Sequence, residues 1–216
     1  MKVFVLWLAA LLVLCSTGFA QSAWREKENA LWADYNAKKL TLEEWNHKLL
    51  TEAGSLGAGL TVWFNEQKSG DTVSIVSRHI KQANKFALYI PEDWNIHDGK
   101  YASYIRMYLV NFLDFTIYIP RMDATVDNFS DYIKINNTWY KIRDNEKSRC
   151  GNSYYKSKLG PRGLYVLNVN SIHQEKGSEK VKYKITFDLN GKKIESNEIE
   201  ISLYPNQLKR LMGELH

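Results

Sequence analysis

Two alternating runs, Val181 to Leu189 and Lys192 to Leu203, flank the dipeptide Asn190-Gly191. Asn and Gly both tolerate positive φ, which the tightest hairpin turn demands, so this segment is constrained to a two-stranded antiparallel ribbon. In Lys182-Tyr183-Lys184-Ile185-Thr186-Phe187 charged and apolar residues alternate. Period two sends them to opposite faces of a sheet, one buried and one wet.

Shorter runs of the same kind precede it. Leu60 to Phe64, Thr72 to Ser77, Lys85 to Ile90 and Phe115 to Ile119 read as strands, the last two ending at Pro91 and Pro120. Tyr132 to Ile135 and Thr138 to Arg143 flank Asn136-Asn137, a second hairpin signal, and Gly163 to Asn170 is a further strand. Residues 101–112 fit both a helical face and a buried strand, and strand-like neighbours favour the strand. Pro205 opens a short C-terminal helix over Gln207 to Leu215, with Leu208, Leu211 and Met212 on one face. About eight short strands separated by turns predict a mainly β, antiparallel, sandwich-like domain. Apolar residues are 44% and charged residues 25% of 216, which excludes wholesale disorder. Two cysteines and one long apolar run exclude a disulfide scaffold and a multi-span membrane protein.

That apolar run is the N-terminal one. Met1-Lys2 precedes Val3 to Leu14, and Gly18-Phe19-Ala20 supplies small residues three and one before a cut. The pattern predicts a signal peptide over 1–20, cleaved after Ala20, and an exported chain that is periplasmic, surface-bound or secreted. About 12 apolar residues are too few to span a bilayer of about 30 Å, so the mature chain is expected to have no membrane span. Cys15 is read as part of the discarded leader, because Leu14 stands where a lipoprotein motif wants a small residue. Cys150 is then alone and cannot form an internal disulfide.

Residues 24–53 read as two short helices, with Trp24, Glu28, Leu31, Trp32 and Tyr35 at helical spacing on the first. Thr41-Leu42-Glu43-Glu44 is a capping box that opens the second, which carries Trp45, Leu49 and Leu50. Leu31 to Leu50 resembles the short helical hairpin family known as SHOCT, through Leu40-Thr41-Leu42-Glu43-Glu44-Trp45 and Leu49-Leu50. Lys38 stands where that family usually has glycine. The resemblance covers 20 residues and implies an oligomerisation or docking role, with Trp32, Thr41, Glu44 and Trp45 as the interaction residues and a homo-oligomer as one outcome. Gly-Ser-Leu-Gly-Ala-Gly, residues 54–59, reads as a flexible linker, which puts the boundary of the β domain, 60–216, there.

Charge is unevenly distributed. Residues 134–193 hold 14 Lys and Arg against 5 Asp and Glu. Within that third, Lys147, Arg149, Lys156, Lys158 and Arg162 surround Tyr154-Tyr155 and form the candidate binding segment, with Trp139 as a ring that could stack on a sugar. Export argues against nucleic acid, leaving an anionic glycan, a wall polymer or a lipid head group as the electrostatic partner, beside a protein partner. The plainer reading is a solvated loop whose lysines guard edge strands.

Catalytic signatures are missing: no nucleophile elbow, phosphate loop, dinucleotide fingerprint or zinc-helix motif occurs. His47, His79, His97, His173 and His216 are scattered, so neither a metal nor a cofactor is expected. Glu92-Asp93-Trp94-Asn95-Ile96-His97-Asp98-Gly99 is the densest polar stretch and reads as a loop ending in an Asp98-Gly99 turn. The reading that follows is an exported, non-enzymatic binding or interaction protein of the cell envelope. One alternative is a glycan hydrolase using Asp93, His97 or Asp98. The other is a structural subunit of a surface assembly. Export is checked directly: the chain recovered outside the cytoplasm begins at Gln21 on N-terminal sequencing, and a start at Met1 or a lipid on Cys15 contradicts the leader assignment.

Overall fold

The computed structural model describes residues 23–57, 59–69, 86–98, 102–145 and 153–214. The leader, the strand expected at Thr72–Ser77, Lys147, Arg149 and Cys150 lie outside the described residues. Strands account for 50% of the described residues and helices for 21%, so the architecture is mainly β and antiparallel, as the alternating runs predict. No helix among the described residues is long and apolar enough to cross a membrane.

The described chain forms two compact units. One gathers the described residues up to Gly57 with Ile172–Lys180 and the described residues from Ser202 onward; the other holds the described residues between Ala58 and Ser171 with Val181–Ile201. The chain therefore passes between units more than once, and a single cut at 54–59 does not separate them.

The β unit contains two sheets. The larger one runs β2 (Phe86–Tyr89), β4 (Ala102–Asn111), β10 (Gly163–Asn170), β1 (Val62–Ser69), β6 (Thr125–Val126), β5 (Ile117–Met122) and β9 (Tyr154–Leu159), with β3 (Asn95–Asp98) also paired to β4. The smaller one runs β12 (Lys192–Glu195), β11 (Glu179–Leu189), β7 (Phe129–Ile135) and β8 (Thr138–Asp144), with β13 (Ile199–Leu203) also on β11. Asn190 (φ 54°) and Gly191 (φ 80°) make the expected turn between β11 and β12, and Asn136 (φ 48°) and Asn137 (φ 68°) make the one between β7 and β8. The second strand of the Asn-Gly hairpin is two strands, because Ser196 interrupts it. Its hydroxyl oxygen accepts from the Ile185 N–H (3.0 Å) and its N–H donates to the Ile185 carbonyl (2.9 Å), which carries the edge of β11 across the break.

Two expectations change and one ambiguity closes as the neighbouring strands favoured. Residues 95–98 are a strand on β4 and not part of a loop. Residues 102–111 are a strand, which settles the ambiguous stretch. Pro120 lies inside β5 opposite Lys156 and does not end it. The Asp123 N–H bonds the Ser153 carbonyl at 3.0 Å. Counting back in twos, the Pro120–Lys156 pair falls on a non-hydrogen-bonded position, so β9 asks no N–H of Pro120, whose carbonyl accepts from the Asp127 N–H on the other side at 3.1 Å.

Phe86 of the large sheet meets Phe187 of the small one (centroids 6.0 Å), and Phe187 meets Phe129 (4.7 Å). Asn197 links the sheets again, accepting from the Ile90 N–H (2.7 Å) and donating to its carbonyl (2.9 Å). Between these contacts sit Ile105, Met107, Leu109, Leu167, Val169, Ile133, Tyr183 and Ile185, all fully buried. Each fully buried side chain of this size contributes about 1.5–3 kcal/mol. Strand β9 is tied to its other neighbours by side chains. Asn111, buried, donates to the carbonyls of Phe115 (2.8 Å), Leu159 (3.1 Å) and Gly160 (2.9 Å), and the Tyr165 hydroxyl donates to the Lys158 carbonyl (2.8 Å).

A polar cluster crosses this interior. Asp131 and Arg143 are cross-strand partners on the inner face of the small sheet. Arg143 Nε and Nη2 donate to Asp131 Oδ2 at 2.9 and 2.6 Å, and the Tyr183 hydroxyl donates to the same oxygen at 2.9 Å. Arg143 Nη2 also donates to the Asn170 carbonyl of the large sheet at 3.0 Å. Burial pushes the Asp131 carboxyl upward against the pull of Arg143, and pushes the Tyr183 hydroxyl well up. Removing one member of a buried ion pair strands the other charge in a low dielectric. Asp131→Ala therefore lowers unfolding stability by about 3–5 kcal/mol in chemical denaturation; a loss no larger than that of an ordinary surface substitution contradicts the pairing.

Candidate functional site

The alternation that buries Asp131 and Tyr183 turns their neighbours outward. Across β11, β7 and β8 the outer face is ruled into rows by the strand register. Thr186, Ser130 and Asp144 form one row, which Glu195 of β12 extends. Lys184, Tyr132 and Lys141 form the next, and Lys182, Lys134 and Trp139 the third.

The rows differ in charge balance. Lys184 pairs with Glu195 and Lys141 with Asp144, both at 2.8 Å, so the middle row is neutralised by the first. The hydrogen bond that the Lys141 ammonium donates to Asp144 also holds it above its ordinary range. Lys182 and Lys134 stand directly opposite each other, and no carboxylate among the described residues pairs with either. Like charges directly opposite on a sheet cost stability, on the order of 0.2–1 kcal/mol. The Lys134 ammonium lies 5.7 Å from the Trp139 ring centre. Lys184, its side chain only 12% exposed, lies 4.5 Å over Trp139 and 5.9 Å from Tyr132. Lys193 lies 4.4 Å over Tyr132 and donates to its hydroxyl at 2.6 Å. The result is a face in which two rings are held by ammonium groups and one lysine pair has no counter-ion among the described residues.

Trp139 lies inside β8 beside Lys134 and Lys184, which are not the lysines read from the sequence. Tyr132, Lys134, Lys182, Lys184 and Lys193 were missed. The available signal was the alternation in β11, which assigned its lysines to a wet face without showing what stood beside them.

The segment read as one basic–aromatic cluster is divided by its own strand. Tyr154, Lys156 and Lys158 share the outward face of β9. Tyr155 lies on the opposite face, where its hydroxyl bonds the Asp123 carbonyl (3.0 Å) and the Arg121 guanidinium stands 5.7 Å from its ring. Arg162 is exposed in the turn that follows, at φ 52°.

In the polar stretch 92–98, Asp93 is engaged by the Arg106 guanidinium at 3.0 Å, and Asn95 approaches His97 Nε2 at 3.2 Å. Among the described residues no three His, Cys, Asp or Glu side chains gather where they could hold a metal ion.

In the helical unit, α1 (residues 23–36) and α2 (Leu42–Thr51) form the hairpin, and α3 (Pro205–Glu214) is the C-terminal helix. Lys38 takes φ 57° and performs the turn expected of glycine, with Lys38 N–H to Tyr35 carbonyl at 2.9 Å and Lys39 N–H to Asp34 carbonyl at 3.0 Å. A left-handed residue with a Cβ costs about 1 kcal/mol. Trp32, Tyr35 and Trp45 form one ring cluster, with centroids 5.2 to 5.8 Å apart, and Trp32 is 50% exposed. The first half of the glycine-rich stretch is held. Gly54, at φ 62°, packs so closely on Asn206 that a Cβ would come within 2.4 Å of its carbonyl oxygen, and the Ser55 carbonyl accepts from buried Gln207 at 2.9 Å.

Comparisons with protein-family models, with curated proteins and with solved structures found no match to this chain.

The capping box at Thr41 is complete: the Glu44 N–H donates to the Thr41 hydroxyl oxygen, and the Glu44 carboxylate takes the Thr41 N–H and hydroxyl, both at 2.8 Å. The Thr41 backbone bond, then the Thr41 hydroxyl, lower the Glu44 pKa. A carboxyl lowered by folding contributes stability that is complete above its unfolded value and is lost as pH falls through its folded one. On acidification through the carboxylate range the parent chain loses more helical circular dichroism than Thr41→Ala, which lacks the cap at every pH. Parallel losses contradict this account.

Proposed function

We propose that this chain is an exported, non-enzymatic binding protein of the cell envelope, and that its partner is an anionic polymer laid across the outer face of the small sheet. The observation that carries the reading is the row Lys182–Lys134–Trp139, two directly opposed ammonium groups that no described carboxylate pairs, beside an indole ring. A polyanion relieves the repulsion between the lysines, and the ring offers a flat apolar surface to a sugar. The leader-like segment at 1–20 supports export, and the basic excess of residues 134–193 supports the sign of the partner. In this reading Lys184 and Lys193 hold the rings in place and Lys134 and Lys182 meet the anion.

The test uses residues 21–216 and polygalacturonate, an acidic polysaccharide, in affinity electrophoresis. The parent chain is retarded, and rising salt weakens the retardation. The double substitution Lys134→Glu with Lys182→Glu weakens binding at least about tenfold, the equivalent of about 1.4 kcal/mol, and Trp139→Ala weakens it while leaving the salt dependence in place. The polymer is recovered at its original length, which separates binding from hydrolysis. Equal retardation of parent and double variant overturns the assignment of the face.

A further inference from the structure

The β unit has a second surface whose composition differs from the first. Its exposed large apolar residues, among those described, are Phe115 (62%), Tyr118 (53%), Tyr155 (50%) and Tyr154 (42%), and all lie on the β5–β9 margin of the large sheet. The register sets the outward face of this two-stranded ribbon: Tyr118 opposite Lys158, Pro120 opposite Lys156, Met122 opposite Tyr154. The inward face holds Ile119, Arg121 and Leu159, which are buried, and Tyr155, whose ring is half exposed beside Arg121. One column of the outward face is therefore ring, proline and thioether, and the other supplies two ammonium groups.

Neither strand contains an acidic residue. The nearest carboxylates in sequence, Asp114 and Asp123, flank the two ends of β5, and neither pairs with Lys156 or Lys158. Arg162 adds a third exposed cation just beyond β9. The Phe115 backbone is pinned by Asn111, so that ring projects from a fixed turn.

We infer that the β5–β9 ribbon is a docking surface for an anionic lipid bilayer, separate from the polymer-binding face. The charge is complementary, since lysines that no described carboxylate pairs meet anionic headgroups at about 1 kcal/mol each. The apolar column decides between lipid and a purely ionic partner. A hydrated polyanion leaves most of the column of Phe115, Tyr118, Pro120 and Met122 in water even where it stacks on one ring, whereas the interfacial zone of a bilayer accepts the whole column and the stems of lysines whose ammonium groups stay in the headgroups. Exposed apolar surface of this kind, rimmed by cations, marks an interaction site.

The experiment is co-sedimentation of residues 21–216 with vesicles, so that the apolar leader contributes no lipid affinity of its own. Vesicles of phosphatidylcholine with 30% phosphatidylglycerol are compared with pure phosphatidylcholine. The parent chain binds the anionic vesicles at least tenfold better. Lys156→Gln with Lys158→Gln weakens that binding roughly 30-fold, the equivalent of two surface lysines. Phe115→Ser with Tyr118→Ser weakens it at least about tenfold with the circular dichroism spectrum unchanged. The Lys134→Glu, Lys182→Glu variant binds vesicles as the parent does, which keeps the two faces distinct. Equal sedimentation with both lipids, or none with either, overturns the proposal. So does loss of lipid binding in the Lys134/Lys182 variant with retention in the Lys156/Lys158 variant. Capture of polyglutamate by the ribbon without vesicle binding also overturns it, by assigning the surface to an acidic chain.

Discussion

The ion pair of Asp131 with Arg143, completed by the Tyr183 hydroxyl, is the contact on which the β unit depends most. It joins β7, β8 and β11 on the inner face of the small sheet and reaches the Asn170 carbonyl of the large one. Two charges in this interior are costly to desolvate, and their mutual attraction offsets that cost only in good geometry. Here one carboxylate oxygen accepts three donors from two residues, while Asp131 Oδ1 and Arg143 Nη1 have no partner. Such a cluster adds less stability than an apolar core of the same volume. What it supplies is registry, because a shift of one residue in β7 or β8 would send a charged group to the wrong face.

That registry also builds the candidate site. Residues 131, 133, 183 and 185 face in, so 132, 134, 182 and 184 must face out. The arrangement of Lys134 against Lys182 follows from the same pairing that sets Ile133 against Tyr183. The outer face is thus a by-product of strand geometry to which chemistry was added: rings at 132 and 139, acids at 144 and 195 to hold two of the lysines, and none in the third row. The β5–β9 margin follows another logic. There the inner face is fixed by Ile119 and Leu159, and the outer face combines rings with cations.

Much of this was legible in the residues. The Asn-Gly and Asn-Asn turns name their own geometry, because few residues accept two consecutive positive φ values. The capping box at Thr41 is local and could be read without knowing what the helix packs on. The basic stretch around Tyr154 could not be read correctly as a cluster, since a strand separates neighbours by face: Tyr155 goes one way, Tyr154 and Lys156 the other. Pro120 was misjudged because its tolerance depends on which pairs of the ladder are bonded. Trp139 was found as a ring without its partners, since Lys134, Lys182 and Lys184 come to it across strands from as far as 45 residues away in sequence.

The sequence by itself determined the mainly β class, the two tight hairpins, the helical pair and the sign of the charge in the C-terminal third. Each rests on periodicity or on the conformational limits of one to four adjacent residues. Tertiary structure alone decided that Asp131, Arg143 and Tyr183 meet in the interior, that Gly54 lies on Asn206, and that two lysines face each other beside Trp139. Those outcomes depend on strand order and register, which arise from the packing of the whole interior and leave no mark on any single run of residues.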